Sequence, residues 1–222
     1  MRFLLHEQPY EQPVAAGRLV YEQDGQPTGA VESWRLTEAV DGYCFLRVDL
    51  DGRAAASGRS SLFHLTIGPQ GQPERLLFQA YGPDGLVKGT VLFAADSLTV
   101  GRELAGQGRQ EDELTALWFW FPATLGLGLL AGLPGDGQVD AVMLDAAAQF
   151  APRLVTLTHQ WGQPETVAVM GTEWLTRPLT LTWADQRRTI WLNQYQHPLL
   201  VERQDGLCGR ETRYIRYSDV IP

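Results

Sequence analysis

Turn residues interrupt this chain at short intervals from end to end, and that punctuation constrains the fold more than any other feature. Gly-Gln-Pro stands at residues 25–27, 71–73 and 162–164, and Asp-Gly at sites that include 24–25, 41–42, 51–52, 84–85 and 205–206. Glycine accepts positive φ, while proline fixes φ and cannot donate to a ladder. Each site therefore ends one extended run and starts another. Between them, apolar and polar side chains alternate with the period of a half-buried strand. These runs predict strands over 18–23, 29–38, 43–50, 59–67, 75–81, 86–94, 98–104, 114–121, 139–145, 153–161, 165–170, 175–183, 188–195, 199–204 and 212–217. Short connections leave no room for crossover helices over most of the chain, so neighbours in sequence become neighbours in an antiparallel meander. No other residues recur around the Gly-Gln-Pro sites. Shared turn composition, not an internal repeat, accounts for them.

The expected fold is mainly β: one domain over 1–222, with a leader arm at 1–17 and a long internal loop at 105–113 around Glu111-Asp112-Glu113. A chain of 222 residues needs no disulfide or metal to hold its core together. Alternation separates two faces in the first strands. Cys44, Leu46, Val48 and Leu50 form one apolar row, with Phe63, Leu65 and Ile67 beside it. The opposite rows are mixed: Tyr43, Phe45, Arg47 and Asp49, then Leu62, His64 and Thr66. So many aromatics and leucines imply that this second face is covered too, by another sheet or by a segment laid across it.

Residues 114–135 carry no charge. The stretch is long enough for a membrane helix, but Pro122 and Gly126, Gly128 and Gly132 break it, and acidic residues flank both ends. The expectation is no membrane span: a buried strand over 114–121, then a short apolar helix or lid around 123–131 lying on the covered face. In that strand Trp118 and Trp120 fall on one side, and Phe119 and Phe121 on the other. Two readings stay open, an aromatic wall for an apolar ligand and a strand buried on both faces. Gly126-x-Gly128-x-x-x-Gly132 lacks the βαβ setting of a nucleotide loop.

Charge and reactive residues narrow the function classes. Asp and Glu number 26 against 18 Lys and Arg, a balance of −8 that argues against nucleic acid. Lys88 is the only lysine. Cys44 and Cys208 sit in no paired or metal-type spacing and are expected to be unlinked thiols. The opening residues turn polar too soon for the apolar core of a signal peptide, which is the expectation of a cytoplasmic protein. His6, His64, His159 and His197 show no metal-ligand spacing, no Gly-x-Ser-x-Gly elbow occurs, and Lys88 is followed by Gly89 rather than by a P-loop Ser or Thr. No cofactor is expected. If strands 43–50 and 59–67 pair, His64 lies beside Arg47, where a histidine can serve as a neutral base or simply as a hydrogen-bonded sheet residue. His159 reads as a sheet residue, and His197, ahead of Pro198, as an exposed turn residue.

The layout resembles bacterial half-barrel β proteins of the lipoprotein-carrier type and families described as putative glycolipid-binding. The residues that carry this are Trp120-Phe121-Pro122 with the leucine-rich stretch 125–133, Val167 to Gly171, and Leu179 to Trp183. Ile190-Trp191-Leu192 and Pro198 to Arg203 complete the set. The resemblance implies a strongly curved antiparallel sheet wrapped around apolar helices or a lipid chain. It supplies no catalytic motif.

The expected function is therefore non-enzymatic binding of an apolar or amphipathic, lipid-like small molecule in the concavity of a curved sheet. Its expected site combines Arg35, Tyr43, Arg47 and His64 on the mixed face with Trp118 and Trp120 from the covering segment. An interaction module, with segment 114–135 buried in a homodimer, is a second class. An enzyme using His64 with Arg47 or Arg35 is a third.

Overall fold

The computed structural model describes residues 4–83, 85–116, 118–124 and 135–217. Eight strands fill the first half: β1 (Glu11–Gln23), β2 (Gln26–Ala39), β3 (Cys44–Asp51), β4 (Ser60–Ile67), β5 (Pro73–Gly82), β6 (Gly85–Phe93), β7 (Ser97–Leu104) and β8 (Gly108–Thr115). After the short β9 (Trp118–Trp120) come β10 (Gly137–Asp145), β11 (Ala151–Trp161), β12 (Glu165–Val169), β13 (Thr172–Trp183), β14 (Gln186–Leu192), β15 (Pro198–Arg203) and β16 (Leu207–Arg216). Among the described residues, a 3-10 turn at Ala146–Ala148 is the one helical element.

The strands form one sheet in the order β8-β7-β6-β5-β4-β3-β2-β1-β16-β15-β14-β13-β11-β10-β9, and β12 pairs only with β13. The first and last strands, β1 and β16, pair at its centre. Two meanders therefore run outward from one seam. Asp24 and Gly25, at φ 51° and 76°, make the two-residue turn between β1 and β2. Positive φ at both positions matches the twist of the strands it joins. Among the described strands every pairing is antiparallel except that of β9 with β10.

β8 and β9 end the sheet and do not pair, yet Thr115 and Trp118 are three residues apart. Three residues reach at most roughly 11 Å. The chain thus brings the two ends of an open sheet together, and only a strongly curved sheet permits that.

β9 lies inside the curve. Its phenylalanine and the one that follows meet the first meander: Phe119 packs on Phe93 at 5.3 Å and Phe121 on Phe63 at 4.8 Å between ring centroids. Trp120 faces the other way and packs edge-on against Trp183 of β13 at 5.1 Å. Both Trp120 and Phe121 are fully buried. The inner wall of the first meander is the apolar row that carries Leu46, Val48 and Phe63, and Leu181, Trp183 and Ile190 form the opposite wall. The core is what these two walls and β9 enclose.

Three local expectations are corrected. Residues 105–113 are no long loop: a turn at 105–107 leads into β8, an edge strand paired with β7. Because β8 is an edge exposed along most of its length, it carries charges on both sides and shows no apolar alternation. The predicted strand over 114–121 is two elements, the end of β8 and β9, on opposite edges of the sheet. The leader arm is shorter than 1–17, because β1 begins at Glu11 and accommodates Pro13 beside a register shift. The helix or lid predicted around 123–131 falls from residue 125 onward outside the described residues.

Among the described residues, no helix is long and apolar enough to cross a membrane. Cys44 and Cys208 are unlinked thiols, each half-buried.

Candidate functional site

The mixed face of the first meander turns outward, and Leu5, His6 and Glu7 lie against its arginines. Cross-strand register aligns Arg35, Arg47 and His64 on this face. Arg47, 1 % exposed, gives Nε to the Leu5 carbonyl at 2.9 Å, Nη1 to Thr37 Oγ1 at 2.9 Å and Nη2 to Glu11 Oε1 at 2.8 Å. Thr37 in turn donates to the second oxygen of Glu11. Burial raises the Glu11 carboxyl, but the Arg47 and Thr37 hydrogen bonds more than compensate and leave it below its usual range. Arg35 pairs with Glu7 at 2.5 Å. His64 is buried with no partner on Nδ1, and burial followed by the Arg47 charge pushes it down to about 4. It is a neutral imidazole packed at 5.8 Å from the Phe45 ring.

The structure thus brings Arg35, Arg47 and His64 together and separates them from the tryptophans. Tyr43 lies half-buried in the turn before β3, its backbone N–H bonded to Asp41. Trp118 and Trp120 belong to β9, inside the sheet, and cover the apolar face rather than the mixed one. The expected convergence of all six residues is corrected, and charge explains it. An arginine row needs carbonyls and carboxylates over it, which the arm provides, whereas the uncharged β9 segment gains most against Phe63 and Trp183. His197 is corrected as well: it is half-buried, donates to or accepts from the Tyr214 hydroxyl at 2.8 Å through Nδ1, and is pushed down to about 4 by burial and then by Arg216. His159 is buried, with Nδ1 2.8 Å from the Gly135 carbonyl.

The concave side holds a cavity of about 900 Å³. Its walls are apolar: Leu50, Ala80 and Val87 from the first meander, Val201 from β15, and Phe150, with Pro122 and Ala123 just beyond β9. The loop between β3 and β4 supplies exposed rim residues such as Ser57 and Arg59, and Tyr81 and Asp205 stand there too.

Arg188 of β14 is a buried charge on the wall of this cavity. Alternation along β14 buries Arg188, Ile190 and Leu192 on the inner face while Arg187 points outward and is exposed. Arg188 is 4 % exposed. Its Nη2 donates to the Pro122 carbonyl at 2.8 Å, and its guanidinium lies 5.6 Å from the ring centroids of both Trp120 and Trp183. Among the described residues, Nε and Nη1 have no partner. Tyr21, also on the cavity wall, donates to Glu32 Oε2 at 2.6 Å. Burial lowers the Arg188 guanidinium to about 10, with the Tyr21–Glu32 pair opposing the shift, so it is charged at neutral pH. Arg203, its cross-strand neighbour, lines the cavity as well and pairs with Asp205 at 2.5 Å.

Arg188 had a signal in the sequence: it shares a row with Ile190 and Leu192, and a charge on an apolar row is unusual. The cavity itself had none, because it forms where two meanders distant in sequence face each other. Among the described residues, no three His, Cys, Asp or Glu side chains are grouped to hold a metal ion. No protein-family model, curated protein or solved structure matches this chain.

Proposed function

We propose that the protein is a non-enzymatic binding protein that holds an apolar or amphipathic, lipid-like small molecule in the concavity of its curved sheet, and that it acts in the cytoplasm. The observation that carries this reading is the cavity of about 900 Å³ with apolar walls and a few convergent polar groups. Ligand sites span roughly 300–1,000 Å³ with the same mixture of surfaces. The resemblance to carrier-type and glycolipid-binding half-barrels agrees with a ligand on this side of the sheet. The outer-face residues argue against His64 catalysis, since the Arg47 beside it is engaged by Leu5, Thr37 and Glu11.

Native mass spectrometry of gently purified protein tests the proposal. A copurified lipid adduct, lost in Ala30→Trp because that change fills the cavity, is the expected result. An unliganded protein whose tryptophan emission responds to neither palmitate nor hexadecanol overturns it, and an unliganded dimer would point to the interaction module instead.

A further inference from the structure

A guanidinium beside an apolar cavity with two nitrogens unmet is an expensive arrangement. Each unpaired buried donor costs about 1–3 kcal/mol, and more when charged. The Pro122 carbonyl uses one N–H, and the faces of Trp120 and Trp183 hold the cation by its π side. That fixes the plane of the guanidinium while Nε and Nη1 remain unsatisfied on a residue of the cavity wall. Nε–H and the Nη1 N–H groups leave opposite flanks of the guanidinium, so an oxygen of a carboxylate or phosphate meets one of them in a single charge-assisted hydrogen bond. Of the other two arginines at the cavity, Arg203 already has Asp205 as partner and Arg59 stands at the exposed rim.

We infer that Arg188 is the head-group site of the cavity and that the ligand is a single-chain amphiphile ending in an oxyanion, a carboxylate or a phosphate. This rests on the cavity reading above and specifies it. A head-group oxygen accepts from one unpartnered N–H of Arg188, and the chain runs along Leu50, Ala80, Val87 and Phe150. Glu32 and Tyr21 sit near enough to weaken the guanidinium's pull, so the preference for an anion is finite.

The test compares three ligands with the same chain: palmitate, hexadecyl phosphate and hexadecanol. Trp120 and Trp183 lie against Arg188, so tryptophan emission follows occupancy at the head-group end. At least one of the two anions is expected to bind roughly tenfold more tightly than the alcohol, as one charge-assisted hydrogen bond allows, and the anion that does so identifies the head group. Arg188→Met keeps the stem and removes the donors; it should abolish the preference and leave hexadecanol binding within roughly twofold. Arg188→Lys keeps the charge on a shorter stem with a differently placed donor and should recover only part of it. Where Arg188→Met does not melt cooperatively, Arg188→Lys and Arg203→Met carry the decision. Hexadecanol binding as tightly as both anions overturns the inference while leaving the cavity reading intact. Preference lost in Arg203→Met but retained in Arg188→Lys overturns the assignment to Arg188. Failure of all three ligands overturns the cavity reading and this inference together.

Discussion

Arg188 and Pro122 are 66 residues apart in sequence and joined by a hydrogen bond of 2.8 Å from the guanidinium to the proline carbonyl. A strand of the second meander thereby holds the chain where it leaves β9. The bond contributes about 1.5–3 kcal/mol, as hydrogen bonds to charged groups do, while the two unmet nitrogens cost at least as much. Arg188→Met should therefore change stability by no more than about 1 kcal/mol, although core substitutions usually destabilise more. Urea unfolding of the ligand-free protein measures it; a loss above about 3 kcal/mol would mark Arg188 as a structural residue.

Phe121 is the opposite case. It is fully buried, with Phe63 at 4.8 Å and Phe150 at 6.0 Å, and it joins β9 to the first meander. Phe121→Ala should cost about 3–5 kcal/mol from lost transfer energy and the void left behind. Leu175, 69 % exposed on β13, serves as the control: Leu175→Ala should stay within about 0.5 kcal/mol. The difference between the two urea midpoints reads the result.

The meander was legible because turn chemistry and period two are local properties of the sequence. β8 was hidden because an exposed edge strand carries Arg109, Glu111 and Glu113 without an apolar row. The start of β1 was hidden by Pro13, which a strand tolerates only beside an irregularity in pairing. Alternation also sorted Arg47 and His64 onto one face correctly, but it does not say which face is concave. That depends on the sense in which the whole sheet curves. The apolar row turned inward, so the arginine used for the candidate site came from β14 and not from β3.

Glu211 gives the molecule a pH-dependent element. It is buried beside Leu19, accepts from the Arg18 backbone N–H and from Trp34 Nε1 at 3.3 Å, and is raised to about 7, chiefly by burial. The folded state thus holds this proton more tightly than the unfolded chain. The contribution is fully present below the usual carboxyl range and is lost as pH rises towards and through 7. His64 and His197, both lowered to about 4, act in the opposite sense, because stability falls as pH drops below their usual value near 6.5. The three effects overlap, so the wild-type profile alone does not separate them. Glu211→Gln removes the first, and relative to wild type it should gain about 3 kcal/mol between pH 5 and 8. Urea unfolding at both pH values checks this, and a constant offset would refute it.

The arm over the outer face separates stability from binding. Leu5 and His6 offer carbonyls to Arg47, at 2.9 and 3.4 Å, and Glu7 pairs with Arg35. Leu4 and Leu5 also border the groove that contains Leu77, the cross-strand neighbour of His64. Removing residues 1–7 leaves Glu11 and Thr37 in place and strips the rest of this cover. Stability should fall by about 2 kcal/mol as Arg47 loses charge-assisted bonds. With solvent admitted, desolvation no longer dominates His64, and its titration should move up from about 4 towards the ordinary histidine range, short of it because Arg47 remains adjacent. The Hε1 proton signal of His64 followed across pH reports this directly. The concave cavity is on the other side of the sheet and includes no residue of the arm, so palmitate binding should be unchanged in the same variant. An unmoved His64 titration would show that the strands alone exclude water, and a lost palmitate site would show that the two faces are coupled.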